Sequence, residues 1–128
     1  MSDSVAETLS LWRRSAFEWG TLDCVLATCD HVLRVTGIDP AAPWRGSYSD
    51  EAGARAIYEE HGGVLALFRH GMARAGFEVG QRERGFPVVC DVMGHEIAGV
   101  DTGGKVMFLA EERGVICMRA PVLEAWVL

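Results

Sequence analysis

The hydrophobic period of this chain changes once, at Gly76, and that change limits the fold more than any single motif. Before Gly76 apolar residues recur at helical spacing; after it the period is near two. Val5, Leu9, Trp12 and Ala16 predict a first helix over about residues 4 to 17. A second helix is expected from about Asp23 to Val35, with Gly37 as its natural C-cap. Its sequence, "CVLATCDHVLRV", is apolar on nearly every face, as in a helix central to a core. "IDPAAPWRGSYSDEAGA" reads as an ordered loop, with Ser49 or Asp50 capping a third helix that runs to Gly62-Gly63. In "VLALFRHGMARAG" the stripe Val64, Leu67, Phe68, Met72 and Ala75 predicts a fourth helix, closed by Gly76.

Beyond Gly76, "FEVGQ", "FPVVCDVMG", "EIAGVDT", "KVMFLAEE" and "GVICMRA" read as short strands. Turns are expected at Gly103-Gly104 and around Glu112-Arg113-Gly114. The apolar end, "VLEAWVL", is expected to pack back onto the domain; the competing reading makes it a docking element. Helices first and antiparallel strands afterwards give an α+β layout in a single domain over residues 1–128.

Charge and composition remove several classes of function. A net charge of −6 argues against non-specific binding to nucleic acid, which needs a basic face. No run of eighteen apolar residues occurs, so no membrane span is expected. The opening "MSDSVAETLS" has acids and no basic stretch, unlike a secretory signal. Cysteines stand at 24, 29, 90 and 117 without a CxxC pair, and buried free thiols are expected rather than a disulfide framework. Cys24, Cys29 and His31 come nearest to a metal set. All lie on one helix, Cys29 pointing away from the other two, so neither a metal nor a cofactor is expected.

The chemistry centres on "FEWGTLDC". A helix N-terminus favours a thiolate through its unpaired N–H groups and dipole. Asp23-Cys24 opening an apolar helix has that arrangement. The dipole contributes only about 0.3–1 kcal/mol at an exposed site, so a nucleophilic Cys24 also needs a histidine. The alternative is a small buried side chain that begins a core helix. Asp23 has two readings as well: a helix N-cap, or a residue that fixes the backbone beside the thiol. Asp30, in mid-helix among apolar neighbours, needs a partner, and Arg45 of "WRGSY" is the expected one.

"WGTLDC" followed by an apolar helix resembles the nucleophile segment of the NlpC-like cysteine peptidases, a branch of the papain fold. There an aromatic, a glycine and an Asp/Asn/Ser-Cys pair open the central helix, and a small antiparallel sheet follows. The order of elements is similar from residue 12 to the C-terminus. "RRSAFEWGTLDC", "TGIDPAAPWRGSYSDEAGA", "GG" and "AWVL" are together similar to a set of small phage and prophage proteins often encoded among tail genes. The first resemblance implies a papain-like domain with Cys24 as nucleophile. The second implies a place in the phage tail, made in the bacterial host cytoplasm, with other tail proteins as partners.

One departure weighs against catalysis. The peptidases carry their general-base histidine in a pattern like "HVGIYVGNGK", shortly after a "GD" strand. Here Cys90-Asp91 stands in place of "GD", and alignment on "AGVDTGGK" puts Ile97 where the histidine belongs. Isoleucine accepts no proton. His95 faces the same way in a strand but lies about 6–7 Å further along it. The third, orienting residue would fall within "KVMFLAEE", where "VMFLA" is wholly apolar. The expected function is therefore a tail-tip or tail-assembly component on a catalytically impaired scaffold, acting through protein contacts. The alternative is a peptidase or amidase acting on peptidoglycan peptide during infection, with Cys24 as nucleophile, His95 as base and Asp23 beside them.

Overall fold

A computed structural model describes residues 3–128, and its four helices all precede its six strands. The helices are α1 (Ser4–Arg13), α2 (Cys24–Thr36), α3 (Glu51–His61) and α4 (Val64–Ala75). Short acids start the first three: the carboxylates of Asp3, Asp23 and Asp50 accept from backbone N–H groups of the opening turns. α4 begins after Gly63, which brings no side chain to cap it. Glu96, from the sheet, takes that place by accepting from Leu65 N–H at 3.2 Å. Gly37, Gly62 and Gly76 end α2, α3 and α4 in the left-handed conformation.

α1 is shorter than the pattern through Ala16 predicts. Ser15 Oγ donates to the Leu11 carbonyl at 2.6 Å, and the last turn tightens onto Trp12. The freed residues make a separate turn in which Glu18 and Leu22 exchange backbone bonds.

The strands are β1 (Val79–Gly80), β2 (Pro87–Val92), β3 (His95–Asp101), β4 (Val106–Ala110), β5 (Gly114–Met118) and β6 (Val122–Trp126). They form one antiparallel sheet in the order β1-β6-β2-β3-β4-β5. The apolar C-terminal segment is thus a strand between β1 and β2, not an appended tail. A bulge at Val89-Cys90 adjusts its register on β2.

The helices cover one face of the sheet. Val25, Leu26, Cys29 and Val32 of α2 pack with Leu67, Phe68 and Met72 of α4 on Val89, Ala98 and Trp126. The rings of Phe68 and Trp126 stand 5.4 Å apart. Val5 and Trp12 of α1 close the neighbouring stretch over Val100, Met107 and Leu109. Val88, Cys90, Val106, Phe108 and Ala125 form a smaller cluster on the opposite face. The expected loop anchor is present: Arg45 pairs with Asp30 and Asp39, each at 2.8 Å. Among the described residues, no helix is long and apolar enough to cross a membrane.

Candidate functional site

The turn before α2 is shaped by Gly20. Its φ of +85° suits glycine, and a Cβ there would stand 2.1 Å from the Tyr48 carbonyl oxygen. This close approach joins "WGTLDC" to the loop ahead of α3. Asp23 fastens the joint. Its Oδ1 accepts from Leu26 N–H at 2.9 Å, and its Oδ2 accepts from Gly20 N–H at 3.1 Å and from the Tyr48 hydroxyl. Asp23 is fully buried, and these three donors satisfy it. The geometry gives it the capping part, extended to a clamp between two loops.

Cys24 heads α2 and lines a cleft of about 270 Å³ between the aromatic turn and the sheet. Phe17 and Trp19, packed edge to face at 4.9 Å, form one wall. Val92, Ile97, Phe108, Ile116 and Met118 supply much of the rest. The cleft arises because β3 and β4 pair only over Val100–Met107 and Asp101–Val106, then part. Ile97 lines this cleft from β3 but packs with Cys90 and Phe108, while its neighbour Ala98 is the β3 residue packed with α2.

The thiol stands at a helix N-terminus, and the amides of Val25, Ala98 and Cys24 itself favour its charged form. Burial outweighs them, and the neighbouring Asp23 carboxylate adds to it, so the pKa is pushed up to about 12. Cys24 is protonated at neutral pH. The local helix-terminal pattern points to activation; the surroundings reverse it.

His95 begins β3, opposite Val92 across the Met93-Gly94 turn. It is exposed and does not line the Cys24 cleft. The structure brings Asp23 and Cys24 together at the start of α2 and leaves His95 at the rim of the sheet. His31 is bound elsewhere: its Nε2 meets the Gly85 carbonyl at 2.8 Å and its Nδ1 the Thr8 hydroxyl at 2.6 Å. Nε2 therefore carries the proton and Nδ1 accepts from Thr8. His61 lies against the Ile57 carbonyl, with the exposed His70 ring 5.5 Å away. Among the described residues, no three His, Cys, Asp or Glu side chains gather closely enough to hold a metal ion. All four cysteines are free.

Two tyrosines complete the surroundings of the thiol, and sequence reasoning misses both. Tyr48 bonds Asp23; burial and that bond raise its pKa. The Tyr58 hydroxyl is buried beside Tyr48 without a hydrogen-bond partner of normal geometry. Burial, with the nearby Asp23 carboxylate, holds it in the neutral form. Tyr58 was accessible to pattern reasoning, since it follows Ala54 by four residues on the inner face of α3. Tyr48 sits in an aperiodic loop and carries no such signal.

Fold and cleft define a small α+β domain in which a helix-borne cysteine meets an antiparallel sheet across an apolar opening. The chain belongs to the family described as a domain of unknown function, DUF6950, which it matches over residues 1–128. No curated protein and no solved structure gives a match.

Proposed function

We propose that this chain is a phage tail-tip or tail-assembly component built on a papain-like, NlpC-like scaffold whose peptidase chemistry is disabled. The observation that carries this reading is Ile97 in the same cleft as Cys24. A nucleophilic cysteine needs a neighbouring base to take its proton, and the residues lining this cleft include Ile97 and no histidine. The protonated thiol and the apolar "VMFLA" strand support the same reading. The tail setting rests on the resemblance of "RRSAFEWGTLDC" and "TGIDPAAPWRGSYSDEAGA" to small phage proteins. The test is incubation of the purified chain with muropeptides. No turnover is expected; turnover lost in Cys24→Ala overturns the proposal. Detection of the chain in purified virions tests its place in the tail.

One observation favours a second reading, an active cell-wall peptidase. Cys24 opens on a cleft, and the Val25 and Ala98 amides approach its sulfur, as donors for a developing oxyanion would. This reading requires His95 to enter the cleft and take the thiol proton. Slower alkylation of Cys24 in His95→Ala would support it.

A further inference from the structure

We infer that the Cys24 cleft is a receptor for one large apolar side chain of a partner peptide, with a lysine or arginine next to it in that peptide. The inference rests on the non-catalytic reading above and adds the chemistry of the partner. Volume sets the first limit. About 270 Å³ is below the roughly 300–1,000 Å³ of pockets that enclose drug-sized ligands, so a single side chain is the fitting occupant. The lining sets the second. Phe17, Trp19, Ile97, Phe108, Ile116 and Met118 offer apolar surface, and a small polar or acidic side chain would be desolvated there without a cation to meet it.

Charge complementarity sets the third. Glu111 is the one charged residue that lines the cleft, and it is exposed. Trp19 Nε1 donates to its Oε1 at 3.3 Å, which holds the carboxylate at the rim. Among the described residues no lysine, arginine or histidine pairs with Glu111. A cation following the buried side chain therefore has an unpaired carboxylate beside it. The chain's charge of −6 favours approach of such a peptide.

The probe is acetyl-Gly-Phe-Lys-Gly-amide, titrated into the isotope-labelled full chain and followed by NMR at the Trp19 indole and the Ala110 amide. Saturable shifts at both are expected. Replacing Phe by Ser in the peptide should weaken binding about tenfold or more. Glu111→Gln, which leaves an oxygen for Trp19, should weaken the Lys peptide about two- to fivefold, and Glu111→Lys should reverse the preference toward a Glu peptide. Peptides that bind equally whatever their side chains, or that leave both signals unmoved at millimolar concentration, overturn the inference. So does a concentration-dependent dimer, seen by sedimentation, that moves the same signals without peptide. The two readings fail separately. Cleavage of the probe, lost in Cys24→Ala, overturns the non-catalytic scaffold while the Glu111-dependent ranking stands. A flat ranking without cleavage overturns the cleft's preference and leaves the scaffold.

Discussion

At the scale of the residue, Cys24 shows how two effects on one thiol are ranked. The amides at the head of α2 favour the thiolate, but burial and Asp23 win and carry the pKa from 9.0 to about 12. Alkylation by iodoacetamide should thus be slow at pH 7 and rise about tenfold per pH unit with no plateau below about pH 11, since only the thiolate reacts. A plateau near neutrality would show an activated thiol. The sign for stability follows from the same shift. The folded chain holds this proton more tightly than the unfolded chain does. The contribution is therefore complete below pH 9 and is lost as pH rises from 9 toward 12. Urea unfolding across that interval should show a steeper alkaline loss in the native chain than in Cys24→Ala. Asp23 gives a second prediction. Asp23→Ala removes a cap worth about 1 kcal/mol and leaves the Tyr48 hydroxyl without its acceptor, so about 2–4 kcal/mol should be lost in urea unfolding. Asp23→Asn, which keeps an acceptor oxygen, should lose less. A loss below about 1 kcal/mol for alanine would mean that the clamp does not hold the two loops. The capping role of Asp23 was readable in the sequence because a cap reaches only three residues. The raised pKa of Cys24 was not, because its largest cause is burial in the folded chain, against a cleft whose sheet residues, such as Ile97 and Phe108, lie 70 or more positions away.

At the scale of the element, the helices were the legible part. Their caps and their 3.6-residue stripes are local, and Gly37, Gly62 and Gly76 end them where the pattern ends. Five of the six strands were read from the pattern, but neither β6 nor the strand order was. "VLEAWVL" lacks clean alternation, and nothing in it tells that it runs between β1 and β2. Its Trp126 is nearly fully buried against Phe68, so Trp126→Ala should cost about 3–5 kcal/mol. Ending the chain at Pro121 removes β6, strips β1 of its partner and opens the edge of β2. That chain should fail to give a cooperative melt. A shortened chain that melts cooperatively would show that β6 is peripheral. The junction of α1 with α2 makes a pH prediction. His31 is buried between Thr8 and Gly85, and burial, with Arg34 nearby, lowers its pKa below 6.5. The unfolded chain then binds the proton more readily than the folded one. The stability contribution of His31 is present above pH 6.5 and is lost as pH falls below it toward the lower folded value. Thermal melts of His31→Gln should show a weaker acid-side decline than the native chain; parallel declines would place the acid sensitivity elsewhere.

At the scale of the whole molecule, catalysis of the proposed ancestral kind needs parts from three elements: a thiol from α2, a base from β3 and an orienting group from β4. α2 retains its part, β3 presents Ile97 to the cleft, and β4 presents Phe108 and Leu109. The lining of the cleft thus holds a thiol and no histidine. Restoring one part should restore one property. Ile97→His places an imidazole on the wall of the cleft that Cys24 also lines; if it reaches the sulfur, its positive form stabilises the thiolate and offsets the effect of burial. Each unit by which the thiol pKa falls raises the reactive fraction at pH 7 about tenfold. Iodoacetamide should thus label Ile97→His at least about tenfold faster than the native chain, with a new inflection in the rate near the histidine's own titration. Turnover of muropeptide should stay low, because β4 still offers no polar group to orient the ring. The same substitution at the rim supplies the control: Met93→His, on the exposed turn before β3, leaves the alkylation rate unchanged if proximity to Cys24 is what matters. Equal rates for native chain and Ile97→His, in a variant that still melts cooperatively, would mean that position 97 is not the seat of a base, and the scaffold reading would lose its main support.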